Sequence, residues 1–337
     1  MNVRRLIPTT AVAGAVALGL VTLSACGGSA GSASGGGDGK LDVVASFYPM
    51  QFLAERIGGE HVSVTTLTKP GVEPHDLELK PKQIGELGEA DYILYLKGIQ
   101  PAVDDAITQA GVKNTVDAAT LTTLEKHGTG AGHAHEGEEH AHEGEEHGHE
   151  AEEQGHEEHE GEEAGADPHI WLDPVKYAEV AKGVGASLEK ADPDHAADYK
   201  KNTAELVKSL DALHAKFETG LKNTATRTFI TTHSAFGYLA ERYHLDQEGI
   251  SGMDPESEPS PARIKELQDT AKKEKVSTVF FETLASDKTA KTLAKDTGLK
   301  TDVLDPLEGI TDKSRGADYI EVMESNLAAL EKALGAK

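Results

Sequence analysis

The chain has 337 residues and carries 58 acidic against 33 basic side chains, a formal net charge of −25. Its length suffices for two domains around a sizeable core, and the charge excludes nucleic acid as a partner. A single cysteine, Cys26, rules out an intramolecular disulfide and a thiolate zinc cluster.

The first 25 residues read as a signal peptide. Arg4 and Arg5 supply a positive start, and 6–21 is mostly apolar but broken by Pro8 and two threonines. That is too short and interrupted for a membrane span. Leu23-Ser24-Ala25-Cys26 resembles the bacterial lipoprotein signal, in which the cysteine is lipidated and becomes the first residue. Residues 26–40, rich in Gly and Ser, form a flexible tether.

The body begins near Leu41. Residues 41–47 read as a buried strand, 49–57 as a helix stopped by Gly58-Gly59, and 61–67 as an alternating second strand. GVEPHDLELKP follows at 71–81, with His75 after a proline at a strand end and Glu73, Asp76 and Glu78 nearby. Loops at strand ends of an α/β layer are where ligands bind. Helices at 81–89 and 101–109 flank a strand at 92–96, an alternation that implies a largely parallel sheet.

Residues 124–165 break the pattern. HAHEGEEH occurs twice in succession, sharing His140, and then degenerates. Between 128 and 163 lie 14 glutamates and no Lys or Arg. Almost no apolar side chain is present, so the stretch is expected to be disordered without metal. His133, His135, His140, His142, His147, His149, His156 and His159, interleaved with glutamates, suit weak multi-site capture of zinc, copper or nickel.

DPHIWLDP at 167–174 places His169 between Asp167 and Asp173 and between two prolines that stiffen the backbone. Ile170, Trp171 and Leu172 can anchor the segment in a core. A stiff histidine with carboxylates beside it has the character of a supported metal ligand. Helices at 175–190 and 195–221 come next, the second about seven turns long and a candidate spine. His195 and His214 on it read as surface or packing residues.

A second α/β unit follows, with strands at 227–232, 278–282 and 301–304 and helices at 262–274, 286–298 and 319–334. His233 ends the first of these strands. Ser234 beside it raises a hydrolase pair, but no Gly-x-Ser-x-Gly elbow is present. Residues 248–261 read as a Gly/Pro/Glu-rich loop. Asp305 and Glu308 sit beyond the last strand.

GVEPHDLELKP, DPHIWLDP, TTHSAFGYLAERY at 231–243, ISGMDPESEPSPARIKEL at 250–267 and LDPLEGIT at 304–311 together resemble the zinc-specific solute-binding lipoproteins of bacterial ABC importers. The resemblance covers essentially the whole mature chain. It implies an α/β fold of two lobes, each a mostly parallel sheet flanked by helices, joined by a long rigid helix: an N-terminal lobe over 41–192, a linking helix over 193–222 and a C-terminal lobe over 223–337. It implies a metal in the cleft held by His75, His169, His233 and a carboxylate. Relatives with PLE in the last motif point to Glu308, manganese members use an aspartate nearer Asp305, and some zinc members use three histidines with water. His233 stands where manganese members have glutamate, which favours zinc.

The implied role is extracytoplasmic zinc binding and delivery to an ABC permease and its ATPase, by a monomer anchored to the membrane through lipid on Cys26. A manganese-type or broader transition-metal binder, or a metal-binding adhesin, is the alternative. A zinc hydrolase is disfavoured, for it needs an open coordination position and a general base, and no HExxH helix is present. No catalytic residue is therefore assigned.

Overall fold

A computed structural model describes residues 39–111, 114–128 and 166–337. Cys26 and the eight histidines from His133 to His159 lie outside the described residues.

The first sheet comprises β1 (Leu41–Ala45), β2 (Val62–Thr66), β3 (Tyr92–Tyr95) and β4 (Thr115–Asp117), ordered β2-β1-β3-β4 and parallel throughout. Three helices connect the strands: α1 (Tyr48–Gly58), α2 (Pro81–Glu89) and α3 (Pro101–Ala110). Helices cover both faces, so strand side chains alternate between two apolar layers. Val43, Ala45, Tyr92 and Leu94 enter the main core, while Val44 and Ile93 pack with Leu87, Val103 and Ile107 on the other side.

Two long helices follow, α4 (Pro174–Ala191) and α5 (Ala196–Gly220). Pro174 is preset for the first turn of α4, and the Asp173 carboxylate caps it by accepting from Val175 N at 2.9 Å. The 25 residues of α5 extend about 37 Å. Close packing between the two depends on Gly185, where a Cβ would lie 2.2 Å from Thr203 Oγ1.

The second sheet repeats the plan with β5 (Thr228–Thr231), β6 (Asp246–Gly249), β7 (Thr278–Phe281) and β8 (Lys300–Val303), in parallel order β6-β5-β7-β8. Its helices are α6 (Gly237–Arg242), α7 (Pro261–Lys273), α8 (Lys288–Thr297) and α9 (Tyr319–Leu334). Helix α5 packs on α1 of the first unit and α9 of the second. One continuous apolar core, from Val43 and Trp171 through Leu206 and Phe217 to Phe229 and Leu330, therefore joins the two sheets.

The two strands that sequence patterning does not find are edges. β4 is only three residues, and β6 reads Asp-Gln-Glu-Gly, so the start of the expected 248–261 loop is strand. Backbone pairing to β5 defines β6 where side-chain hydrophobicity cannot. Among the described residues, no helix is long and apolar enough to cross a membrane.

Candidate metal centre

The loops that leave the C-terminal ends of β2, β5, β7 and β8, and the segment ahead of α4, converge on one point, as the open parallel-sheet plan favours. His75 comes from the loop after β2, His169 from the segment ahead of α4, His233 from the turn after β5 and Glu308 from the loop after β8. Each offers one ligand atom to a group whose members all lie within 4.8 Å of one another.

The Nε2 atoms of His75, His169 and His233 stand 3.2, 3.3 and 3.2 Å from the same oxygen, Glu308 Oε1. Charge-assisted hydrogen bonds close to about 2.7–2.9 Å. His169 Nε2, His233 Nε2 and Glu308 Oε2 are buried with no hydrogen-bond partner. Leaving such groups unsatisfied costs about 1–3 kcal/mol each, more when charged. Four ligand-type side chains thus turn inward on one point at this spacing.

Buried carboxylates fix two of the imidazoles from behind. Asp167 Oδ1 accepts from the His169 backbone N at 2.9 Å and faces its Nδ1 at 2.7 Å. Glu282 Oε1 faces His233 Nδ1 at 2.6 Å and also accepts from Thr232 Oγ1. Such partners set the tautomer that leaves Nε2 free as a ligand. Glu282 carries no motif of its own; its place at the end of β7, level with His233, is the signal that could have found it. Asp173 serves differently from Asp167: it caps α4 and pairs with Arg242 of α6 at 2.7 Å.

Glu308, not Asp305, reaches the imidazoles. Asp305 Oδ1 accepts from Leu307 N at 2.9 Å and Oδ2 from Thr283 Oγ1 at 3.2 Å, so it shapes the loop. Leu307 is fully buried with φ 57°, a left-handed conformation costly for a branched side chain, and it turns Glu308 inward. Trp171 Nε1 donates to Pro306 O at 2.7 Å, pinning the Glu308 loop to the His169 segment.

Burial penalises the charged forms of His169, His233 and Glu308, but the pairing outweighs it. The carboxylates of Glu282 and Glu308 hold His233 well above the ordinary imidazole range, and Asp167 and Glu308 raise His169. The three imidazoles hold Glu308 well below the carboxylate range. Burial, and then the Glu308 charge, push Glu73 up to about 9, so it is a neutral acid at pH 7.

Ser234 Oγ donates to Ser251 O at 3.1 Å, an arrangement that occupies the hydroxyl away from His233. His195 stacks on His61 with ring centroids 4.0 Å apart and contacts Asp192, and His214 contacts Tyr243 Oη at 3.1 Å. Both are packing residues.

Two parallel-sheet lobes on a shared helical core, with three imidazoles and a carboxylate gathered between them, define a two-lobed solute-binding protein. The family described as zinc-uptake complex component A periplasmic (ZnuA) matches residues 43–333, and the chain belongs to it. It is similar to the high-affinity zinc uptake system protein ZnuA of Bacillus subtilis (strain 168), 36% identical over 330 residues, 95% of this chain and 96% of that protein. It is also similar to the zinc-binding lipoprotein AdcA of Streptococcus pneumoniae serotype 4, 35% identical over 301 residues, 88% of this chain but 56% of that one. The chain thus spans little more than half the length of the AdcA relatives. Among solved structures, the laminin-binding protein Lmb of Streptococcus agalactiae, described as bifunctional with adhesin and metal transporting activity, aligns at TM-score 0.72 and 29% identity, over 88% of this chain and 99% of that one.

Proposed function

We propose that this chain captures Zn2+ outside the cytoplasm and hands it to the permease and ATPase of an ABC importer, with His75, His169, His233 and Glu308 as the ligands. One observation carries the assignment: three Nε2 atoms at 3.2–3.3 Å from one carboxylate oxygen. A tetrahedral zinc with bonds of ~2.0–2.1 Å sets its ligand atoms about 3.3 Å apart, so the three oxygen–nitrogen separations match edges of that tetrahedron. Three neutral nitrogens and one oxygen suit zinc better than manganese, which favours oxygen-rich octahedra. A set supplied wholly by protein leaves no open position for a reacting water, which suits carriage rather than catalysis. His169, His233 and Glu308 are buried, and only His75 keeps measurable exposure, 12% of its side chain. Zinc would therefore come and go past His75.

The zinc named in the ZnuA and AdcA relatives supports this cargo, and the word lipoprotein in the AdcA name supports attachment through Cys26. We assign the chain as a monomer at the outer side of the cell membrane, whose histidine-rich stretch gathers zinc when zinc is scarce. The likeness to Lmb supports a second reading, adhesion alongside metal transport.

The test is zinc retained after dialysis and zinc-limited growth. His169→Ala and His233→Ala should each abolish retention of the tight zinc and leave a strain lacking the wild-type chain unable to grow on limiting zinc. A His75→Ala, His169→Ala, His233→Ala triple variant that keeps its tight zinc refutes the assignment, and preference for Mn2+ over Zn2+ refutes the cargo.

A further inference from the structure

The histidine-rich stretch enters and leaves the fold at one place. Asp167 N donates to Glu125 O at 2.8 Å. Tyr238 Oη accepts from Glu125 N at 2.8 Å and donates to Asp167 O at 2.7 Å. At this junction His127 is 7% exposed. Its Nδ1 faces Asp167 Oδ2 at 2.7 Å and its Nε2 faces Glu241 Oε2 at 3.0 Å. Glu125 completes a trio in which imidazole and carboxylate ligand atoms all lie within 4.8 Å of one another.

Two features separate this trio from an ordinary surface ion pair. The first is Asp167, which turns one oxygen to His169 Nδ1 and the other to His127 Nδ1, each at 2.7 Å. The backing that frees His169 Nε2 for a metal is thus repeated on His127, whose Nε2 faces the Glu241 carboxylate. The second is charge. Glu125, Glu241, Asp167 and Asp173 gather four carboxylates here against two cations, Lys176 at 2.6 Å from Glu125 Oε1 and Arg242 at 2.7 Å from Asp173 Oδ2. A divalent cation would neutralise the remainder. Glu125 and Glu241 also line a surface pocket of about 390 Å3, so the two carboxylates of the trio are reachable from solvent. Gly237 lets the imidazole lie flat on α6, for a Cβ there would sit 2.4 Å from His127 Cγ.

We propose that Glu125, His127 and Glu241 form a second site for Zn2+, at the root of the histidine-rich stretch and joined to the cleft cluster through Asp167. Its coupling to the cleft rests on the reading of that cluster as a zinc site. Three protein ligands leave one position open to water or to an incoming ligand, so the ion exchanges readily. The site is a staging post: weaker than the cleft, at the mouth of the histidine-rich stretch and one shared carboxylate away from His169.

The experiment uses the full mature chain with the eight histidines from His133 to His159 replaced by asparagine, titrated with Zn2+ alone against a chromophoric chelator. Two zinc ions per chain are expected. Glu241→Gln, at a side chain 62% exposed and so safe for folding, and His127→Asn should each weaken the second zinc on the order of tenfold or more. His233→Ala in the same background should remove the tight zinc and keep the second. One zinc per chain before any of these changes, or a second zinc indifferent to both Glu241→Gln and His127→Asn, overturns the second site. If His233→Ala leaves the tight zinc in place while Glu241→Gln removes the other, the cleft assignment fails and the second site stands.

Discussion

Replacing Trp171 by phenylalanine tests whether the cleft ligands depend on a staple between loops. The indole is fully buried, with Phe47 edge-on at 5.1 Å and the His169 ring at 5.2 Å. Its Nε1 donates to Pro306 O at 2.7 Å, two residues before Glu308, and Tyr319 Oη donates to its carbonyl at 2.6 Å. Trp171→Phe orphans the Pro306 carbonyl, a cost of about 1–3 kcal/mol. The lost ring volume, ~40 Å3, adds about 1 kcal/mol at the usual cavity coefficient. Urea unfolding of zinc-free protein should therefore show a loss of roughly 2–4 kcal/mol. Zinc affinity, read by chelator competition, should fall on the order of tenfold, because His169 and Glu308 no longer share a fixed frame. Affinity within twofold of wild type, with the stability loss as calculated, would refute the staple.

Glu282→Gln keeps the shape behind His233 but removes the charge that orients it, and should weaken zinc about 10–100-fold in the same competition assay. Unchanged affinity would show that His233 is held by packing alone. Zinc binding at pH 7 should release protons, since His169 and His233 have raised pKa values in the metal-free cleft. The sign is fixed by that direction: below the raised pKa the imidazole holds a proton that zinc must displace, so apparent affinity falls as pH falls. Calorimetry in buffers of different ionisation enthalpy reads the release directly, and zero release contradicts the charge state of the cleft. Gly185→Ala should destabilise the chain by about 1–3 kcal/mol in thermal or urea unfolding, because the new methyl meets Thr203 at the α4–α5 contact. No loss would mean that the two helices separate without penalty.

Much of the fold is legible because the central strands are apolar and the helices carry strong end signals. Leu41–Ala45, Tyr92–Tyr95 and Thr228–Thr231 are buried strands that read as such, and α2 and α9 begin and end where proline, caps and periodicity place them. The edge strand β6 is invisible because its residues are polar and its pairing is with the backbone of β5. At the cleft, the proline-flanked histidines stand out in sequence, yet the ligand set as a whole comes from resemblance to a family. The preference for Glu308 over Asp305 comes from the PLE motif of that resemblance, whereas the left-handed turn at Leu307 beside it is one that no spacing rule predicts for a leucine. Glu282 and His127 act through partners 49 and 40 residues away, a distance over which local pattern carries no information.

The most direct measurement is the zinc K-edge absorption spectrum of the full chain loaded with one equivalent of Zn2+, alone and with Glu308→Gln. Four-coordinate zinc with three imidazole nitrogens and one carboxylate oxygen at ~2.0–2.1 Å is expected, with the imidazole scattering kept and the oxygen shell altered in Glu308→Gln. An oxygen-rich six-coordinate shell, or a spectrum that Glu308→Gln leaves unchanged, would contradict a zinc held by His75, His169, His233 and Glu308.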